Sequence, residues 1–252
     1  MRKASTIEEY RKIEDIQRNV WGMEGECPVP LPILVGINNN GGLVEIAIDD
    51  GSIIGFSLAF PGREGHYSYL YSHMAGVLPE FRNRDIGYQI KMHQFKEAGN
   101  MGYNEIRWTF DPMKARNSYF NVHKLKAFAY DYKINYYGYM ESRENKGVES
   151  DRIEAHKFLD RIPLTGKKFN IASKIEKYPF PWDSLKIDAD SVGIEIPSSL
   201  DDAGIELKGK WRLAIRNAIV ELESRKYVMT DVIRNDDIDV LVFTLREKSG
   251  LQ

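Results

Sequence analysis

The stretch that most constrains the fold lies between His66 and Pro112. "HYSYLYSHMAGV" reads as a long strand ending at Val77. "LPEFRNRD" follows as a short basic loop, and "IGYQIKMHQFKEAGNM" (Ile86–Met101) as a helix. Gly102 stops that helix, and the strand Glu105–Phe110 runs up to Pro112. Ile86, Ile90 and Ala98 recur at multiples of four residues, and Met92 and Phe95 widen the apolar face, which is the signature of an amphipathic helix. A loop that opens directly onto a helix offers unpaired amides and the positive end of the helix dipole, so it suits an anion. Arg82 and Arg84 add positive charge there, and Gly87 lacks the β-carbon that would keep a bulky anion from the backbone. A solvated loop before an ordinary capped helix has the same local composition. Asp85 is the unexpected residue, an acid where a phosphate loop would keep glycine. As an N-cap it would accept from the amide of Gly87 or Tyr88, and Arg82 or Arg84 could pair with it.

The rest of the chain supplies a mixed set of elements. Thr6 to Trp21 has helical spacing of Ile7, Tyr10, Ile13 and Val20, with a capping box from Thr6 to Glu9. Pro30 opens a second short helix ending near "NNNGG". Leu43–Ile48 and Ile53–Phe60 flank "DDG" as a hairpin. After the central unit come a helix over Arg116–Lys126 and an aromatic strand, "AFAYDYKINYYGY". From about Glu144 the character changes: "ESDRIEAHKFL" reads as a short helix capped by Ser150. Lys168–Lys177 and Val192–Ile196 read as strands, Leu207–Arg225 as a long helix, and "YVMTDVIR" with "IDVLVFTL" as a terminal hairpin. The fold class is α+β, a mostly antiparallel sheet flanked by helices. Residues 1–143 form the core domain and 144–252 an extension packed on it.

Composition narrows the function. The 252 residues carry a net charge of −2, so no basic field draws the chain to nucleic acid or anionic membrane. One cysteine and five histidines offer no zinc set, and no metal is expected. No apolar run reaches a membrane span. The polar N-terminus is no secretory signal, which makes the cytoplasm the expected compartment.

Strand, "VLP", basic loop with Gly87, helix, "IRWTF" and then a helix containing Asn117 resembles the GNAT superfamily of acyl-CoA-dependent N-acyltransferases. The likeness spans Ile7 to Tyr139. In that family a loop of pattern Gln/Arg-x-x-Gly-x-Gly/Ala wraps the pyrophosphate of acetyl-CoA. Arg82, Asn83, Arg84, Asp85, Ile86 and Gly87 match it, with Asp85 in place of the first glycine. "IRWTFDP", "ARNSYFNVHKL" and "ESDRI" resemble a little-characterised branch. The resemblance implies that the strand end Met74–Val77 splays from Thr109–Asp111. Amides of Ala75, Gly76 and Val77 would then hold the acyl arm, with Tyr88 and Asn117 also on the cofactor, and an oxyanion donor would act in the gap. For Asn117 a helix cap is the plainer role.

The implied reaction is direct attack of a primary amine, on a small molecule or an amino-acid-like substrate, on the thioester in a ternary complex. It needs a base and an acid. Aligning "KLKA" with the family's usual "kLGf" puts Val122 where many members carry the acid tyrosine. Tyr119 and His123 are its nearest stand-ins, and Asp111 and His73 are the candidate bases. Tyr130, Tyr132, Tyr136, Tyr137 and Tyr139 could line a substrate pocket or simply pack. The extension supplies either part of that pocket or an oligomer contact, as in a homodimer. The alternative function is a GNAT-fold module that binds acyl-CoA or a protein partner without turnover.

Overall fold

The computed structural model describes residues 1–22, 29–138, 148–165, 169–173, 187 and 189–251. Tyr139, Cys27 and most of the segment expected as a strand over Lys168–Lys177 lie outside them. Packing divides the described chain into two units, one up to Trp108 and one from Thr109 onward. This division falls within a strand, well before the compositional change near Glu144.

The first unit starts with β1 (Arg2–Lys3) and α1 (Ile7–Trp21). Thr6 Oγ1 accepts from the Glu9 amide at 3.3 Å, and the Glu9 carboxylate accepts from the Thr6 amide at 3.2 Å, so the capping box closes. Gly22 ends α1 at φ 58°, donating to the Arg18 carbonyl. Then follow α2 (Leu31–Asn39), β2 (Leu43–Asp49), β3 (Ser52–Glu64), β4 (Tyr67–Val77), α3 (Ile86–Asn100) and β5 (Glu105–Phe110). Strands β1 to β4 pair antiparallel in sequence order, and β5 joins β4 parallel. Ile13 and Ile16 of α1 and Leu34 of α2 bury against Val44, Ile46, Phe56 and Leu58. Ile90 and Ile86 of α3 pack with Ala47, Ile54 and Val77. Each fully buried side chain of this kind contributes about 1.5–3 kcal/mol, less the entropy of ordering it.

The second unit comprises α4 (Ala115–Ser118), β6 (Phe128–Lys133), β7 (Arg152–Phe158), β8 (Asn170–Ser173), β9 (Ser191–Pro197), α5 (Ile205–Ser224), β10 (Tyr227–Ile233) and β11 (Ile238–Leu245). Its strands run in the order β7-β6-β10-β11-β9-β8. All pairs are antiparallel except β8 with β9. Helix α5 lies against β6 and β10, burying Trp211, Ala214, Ile215, Ala218, Ile219 and Leu222. Strand β6, expected in the core domain, thus shares a sheet with β7 and β10 of the extension.

Two local expectations are corrected. "DRIEAHKFL" contains strand β7 rather than a helix, because alternate residues pair with β6 from Phe128↔His156 to Lys133↔Arg152. Ser150 caps no helix; its hydroxyl accepts from the Tyr137 amide at 2.9 Å and donates to the Gly138 carbonyl at 2.6 Å. The helix expected over Arg116–Lys126 is α4 followed by a π-helical turn, Tyr119–Lys124. Among the described residues no helix is long and apolar enough to cross a membrane.

Candidate active site

The loop before α3 is built from residues of unusual backbone geometry. Asn83 has φ 62°, and Asp85 has φ 55° with ψ 13°. That left-handed region is open to glycine and, among other residues, chiefly to Asn and Asp. The glycine-for-aspartate departure is therefore conservative in conformation, whatever it does to charge. A left-handed residue followed by a right-handed one turns successive N–H groups toward one point, the geometry of an anion-binding nest. Asp85 leads in this way into helical Ile86. Contrary to the sequence expectation, the Asp85 side chain makes no capping hydrogen bond to α3. A left-handed N-cap lacks the extended backbone from which a carboxylate reaches the second or third helical amide. The amides at the helix start are consequently left to another acceptor.

The loop's cations have distinct anchors. Arg82 Nε donates to the Val77 carbonyl at 3.2 Å, and its Nη2 donates to the Val20 carbonyl at 3.3 Å, which ties the loop to the ends of β4 and α1. The Arg84 guanidinium lies 5.4 Å from the Phe81 ring centre. Arg82, Asn83, Arg84 and Asp85 are exposed, and Ile86, Gly87 and Tyr88 half-buried.

Strand β4 parts from β5 close to this loop. Among the described residues their pairing is confined to Leu70↔Ile106 and Tyr71↔Arg107, whereas β4 continues to Val77 against β3. The register with β3 jumps from Leu58↔Met74 to Ala59↔Ser72, leaving His73 as a bulge residue. Ala75 is exposed and Gly76 buried. A β-carbon on Gly76 would meet Trp21 and Phe56 at 3.2 Å, so only glycine fits under the end of α1.

His73 and Ser72 point to opposite faces, as their spacing predicts. Ser72 is buried and accepts from Lys91 Nζ at 2.8 Å. His73 is open to solvent on one side, with the Phe60 and Tyr71 rings 5.7 and 6.4 Å away. Partial desolvation by this surround lowers its pKa below the usual histidine value.

In the second unit Asp111 is 4% exposed and held by a two-pronged ion pair. Arg212 donates through both terminal nitrogens at 2.6 Å, and Arg152 stands 4.0 Å away. Its carboxylate also accepts from the Met113 amide at 2.9 Å, closing the turn before α4. Burial opposes the Arg212 charge, but Asp111 outweighs it and raises the guanidinium's pKa. A second clamp follows, in which Asp151 accepts from Tyr132 Oη at 2.7 Å and from Arg216 at 2.8 and 2.9 Å. These partners, 101 and 65 residues apart, leave no local sequence signal.

Asn117 is exposed on α4 and does not cap it; Lys114 occupies that position. Tyr119 stacks on His123 at 4.6 Å, and His123 Nδ1 lies 2.7 Å from Asp231 Oδ1. Val122 is fully buried. Thr109, near the end of β5, has its hydroxyl 3.2 Å from that of Tyr137, a contact sequence reasoning did not anticipate.

No protein-family model matches the chain, and no curated protein matches it. Solved structures do. One is yncA from Salmonella typhimurium, described as an acetyltransferase and solved with its cofactor acetyl-CoA. It is 13% identical at a TM-score of 0.51, covering 66% of this chain and 97% of the other. A second is aminoglycoside 6'-acetyltransferase type Ii, 19% identical at 0.50, covering 62% of this chain and 95% of the other. At such identities the likeness speaks for the fold alone, and it leaves about a third of this chain unmatched. Within that limit it agrees with the element order from α1 to β5, the bulged β4 and the loop before α3: the chain has the GNAT acyltransferase fold.

Proposed function

We propose that the protein is an N-acetyltransferase that moves an acetyl group from acetyl-CoA to a primary amine of a small-molecule or amino-acid-like substrate. The observation that carries this reading is the backbone nest at Asp85–Ile86, set between Arg82 and Arg84 where β4 meets α3. Its amides are not taken by the Asp85 side chain, and two guanidinium groups supply the charge that a diphosphate requires. Acetyl-CoA, when bound, supplies the activated acyl group. In this reading Arg82 to Tyr88 hold its diphosphate, the Ala75–Val77 strand end holds the acyl arm, and Asn117 adds a contact.

His73 is the proposed base. Its lowered pKa keeps the ring neutral near pH 7, the form that can accept a proton from the attacking amine. Asp111, committed to Arg212, is assigned to holding the turn before α4 and not to proton transfer. Tyr119, with its ring on His123, is left without a catalytic role. We further place the acyl-CoA core in residues 1–143 and treat 144–252 as an extension that braces it.

The test is thiol release from acetyl-CoA across a panel of primary amines. Saturable turnover with at least one amine, yielding equal amounts of CoA and amide, is the expected result. Saturable acetyl-CoA binding with no CoA release across the panel would overturn it in favour of a binding module.

A further inference from the structure

The position that carries the acid tyrosine in many members of this fold holds Val122, which is fully buried and has no proton to give. We propose that Tyr137, on the loop after β6, supplies that acid; the inference rests on the acetyltransferase reading above. The Tyr137 hydroxyl lies 3.2 Å from the hydroxyl of Thr109, next to the end of β5 that is assigned to the acyl arm. The ring is 42% exposed, so its hydroxyl is open to a ligand while one edge is held.

Its loop is fixed by an unusual density of bonds from two buried residues. The Ser150 hydroxyl takes the Tyr137 amide at 2.9 Å, and the Ser150 carbonyl takes the Tyr136 amide at 3.1 Å. The Asp151 carboxylate takes the Asn135 amide at 2.9 Å, while Asn135 Oδ1 accepts from the Ser150 amide at 3.2 Å. The Arg152 guanidinium lies 5.3 Å from the ring centre, and Tyr136 meets the ring edge-on at 4.7 Å. A phenol so fixed loses little entropy on engaging a ligand, which favours a positioned proton donor. The cation beside the ring also favours the transient phenolate.

The step balances. The amine nitrogen forms the C–N bond and gives up one proton to the base, and the C–S bond breaks. The sulfur takes the Tyr137 proton, and the phenolate is reprotonated from solvent.

Tyr137→Phe removes only the hydroxyl, and Thr109→Val removes only its partner. With an amine that the wild type acetylates, Tyr137→Phe is expected to lower kcat about 100-fold. The KM for acetyl-CoA should stay within about twofold, and the fall of kcat at alkaline pH should disappear. Thr109→Val should keep kcat within about threefold of wild type, because the phenol survives. Wild-type kcat in Tyr137→Phe would overturn the assignment while leaving the acetyltransferase reading intact. So would equal losses in both variants with an unchanged pH profile, which would mark a bond that merely holds β5. A wild type that turns over no amine would overturn both readings.

Discussion

Each unit of the molecule buries charge beside its share of the candidate site, and the two do it differently. Under α3 in the first unit, Lys91 is sealed in with neutral partners: Ser72 Oγ at 2.8 Å, Gln94 Oε1 at 3.0 Å and the Trp108 ring at 3.9 Å. Desolvation pushes its pKa down to about 7, against a weaker upward pull from Glu45. Under α5 in the second unit, Asp111 and Arg212 are just as buried but lie fork to carboxylate, and the pair stays charged. Burial penalises a charge in either place; whether the group stays ionised depends on a directly bonded counter-charge. The first unit therefore carries a lysine that titrates near neutrality, and the second a clamp that is indifferent to pH.

Removing one half of the clamp should have the largest effect. Arg212→Met leaves the Asp111 carboxylate buried without its fork and should cost about 3–5 kcal/mol, read by urea unfolding. Combining it with Asp111→Asn should recover part of that loss. If Arg212→Met costs less than about 1 kcal/mol, the clamp is not the brace described here.

A smaller effect is expected at Lys91, and it depends on pH. A lysine whose folded pKa is depressed binds fewer protons folded than unfolded between about 7 and its ordinary value of 10.5. Stability contributed by this group must therefore rise with pH across that window, its cost being present in full below it. Lys91→Met should abolish the rise and be more stable than wild type at pH 7, on the order of 1 kcal/mol. A wild-type stability that stays flat from pH 7 to 10 would mean that the Trp108 ring and the two hydrogen bonds hold the ammonium charged.

The smallest effect belongs to Asp85. Glycine relieves the left-handed backbone, so Asp85→Gly should change stability by at most about 1 kcal/mol. It should also tighten acetyl-CoA binding several-fold by removing a carboxylate from the diphosphate's surroundings. Weaker binding in the variant would contradict that.

The same contrast marks what the sequence could reveal. In the first unit the elements are local and regular, so the capping box, the "DDG" hairpin, the long strand to Val77 and α3 are all readable from spacing. Glu105–Phe110 coincides with β5. The loop was readable as an anion site, but the left-handed conformation of Asp85 was not, since aspartate is equally at home as an extended cap. In the second unit the decisive contacts are long-range. Ile153 to Phe158 becomes a strand because β6 is there to pair with, and Asp111 resembles a strand-end base until Arg212 arrives from 101 residues away. Thr109 and Tyr137 are likewise 28 residues apart, joined only once the loop after β6 is pinned to Ser150.

The central claim is that the nest before α3 is an acyl-CoA diphosphate site, and calorimetric titration of acetyl-CoA into wild type and Gly87→Glu tests it most directly. Gly87 lies in the first turn of α3, where glutamate suits a helix but would fill the anion's space and repel it. The account predicts saturable one-to-one binding to the wild type and no detectable binding to a Gly87→Glu protein that retains its circular dichroism and unfolding transition. Equal affinity in the two proteins would contradict it.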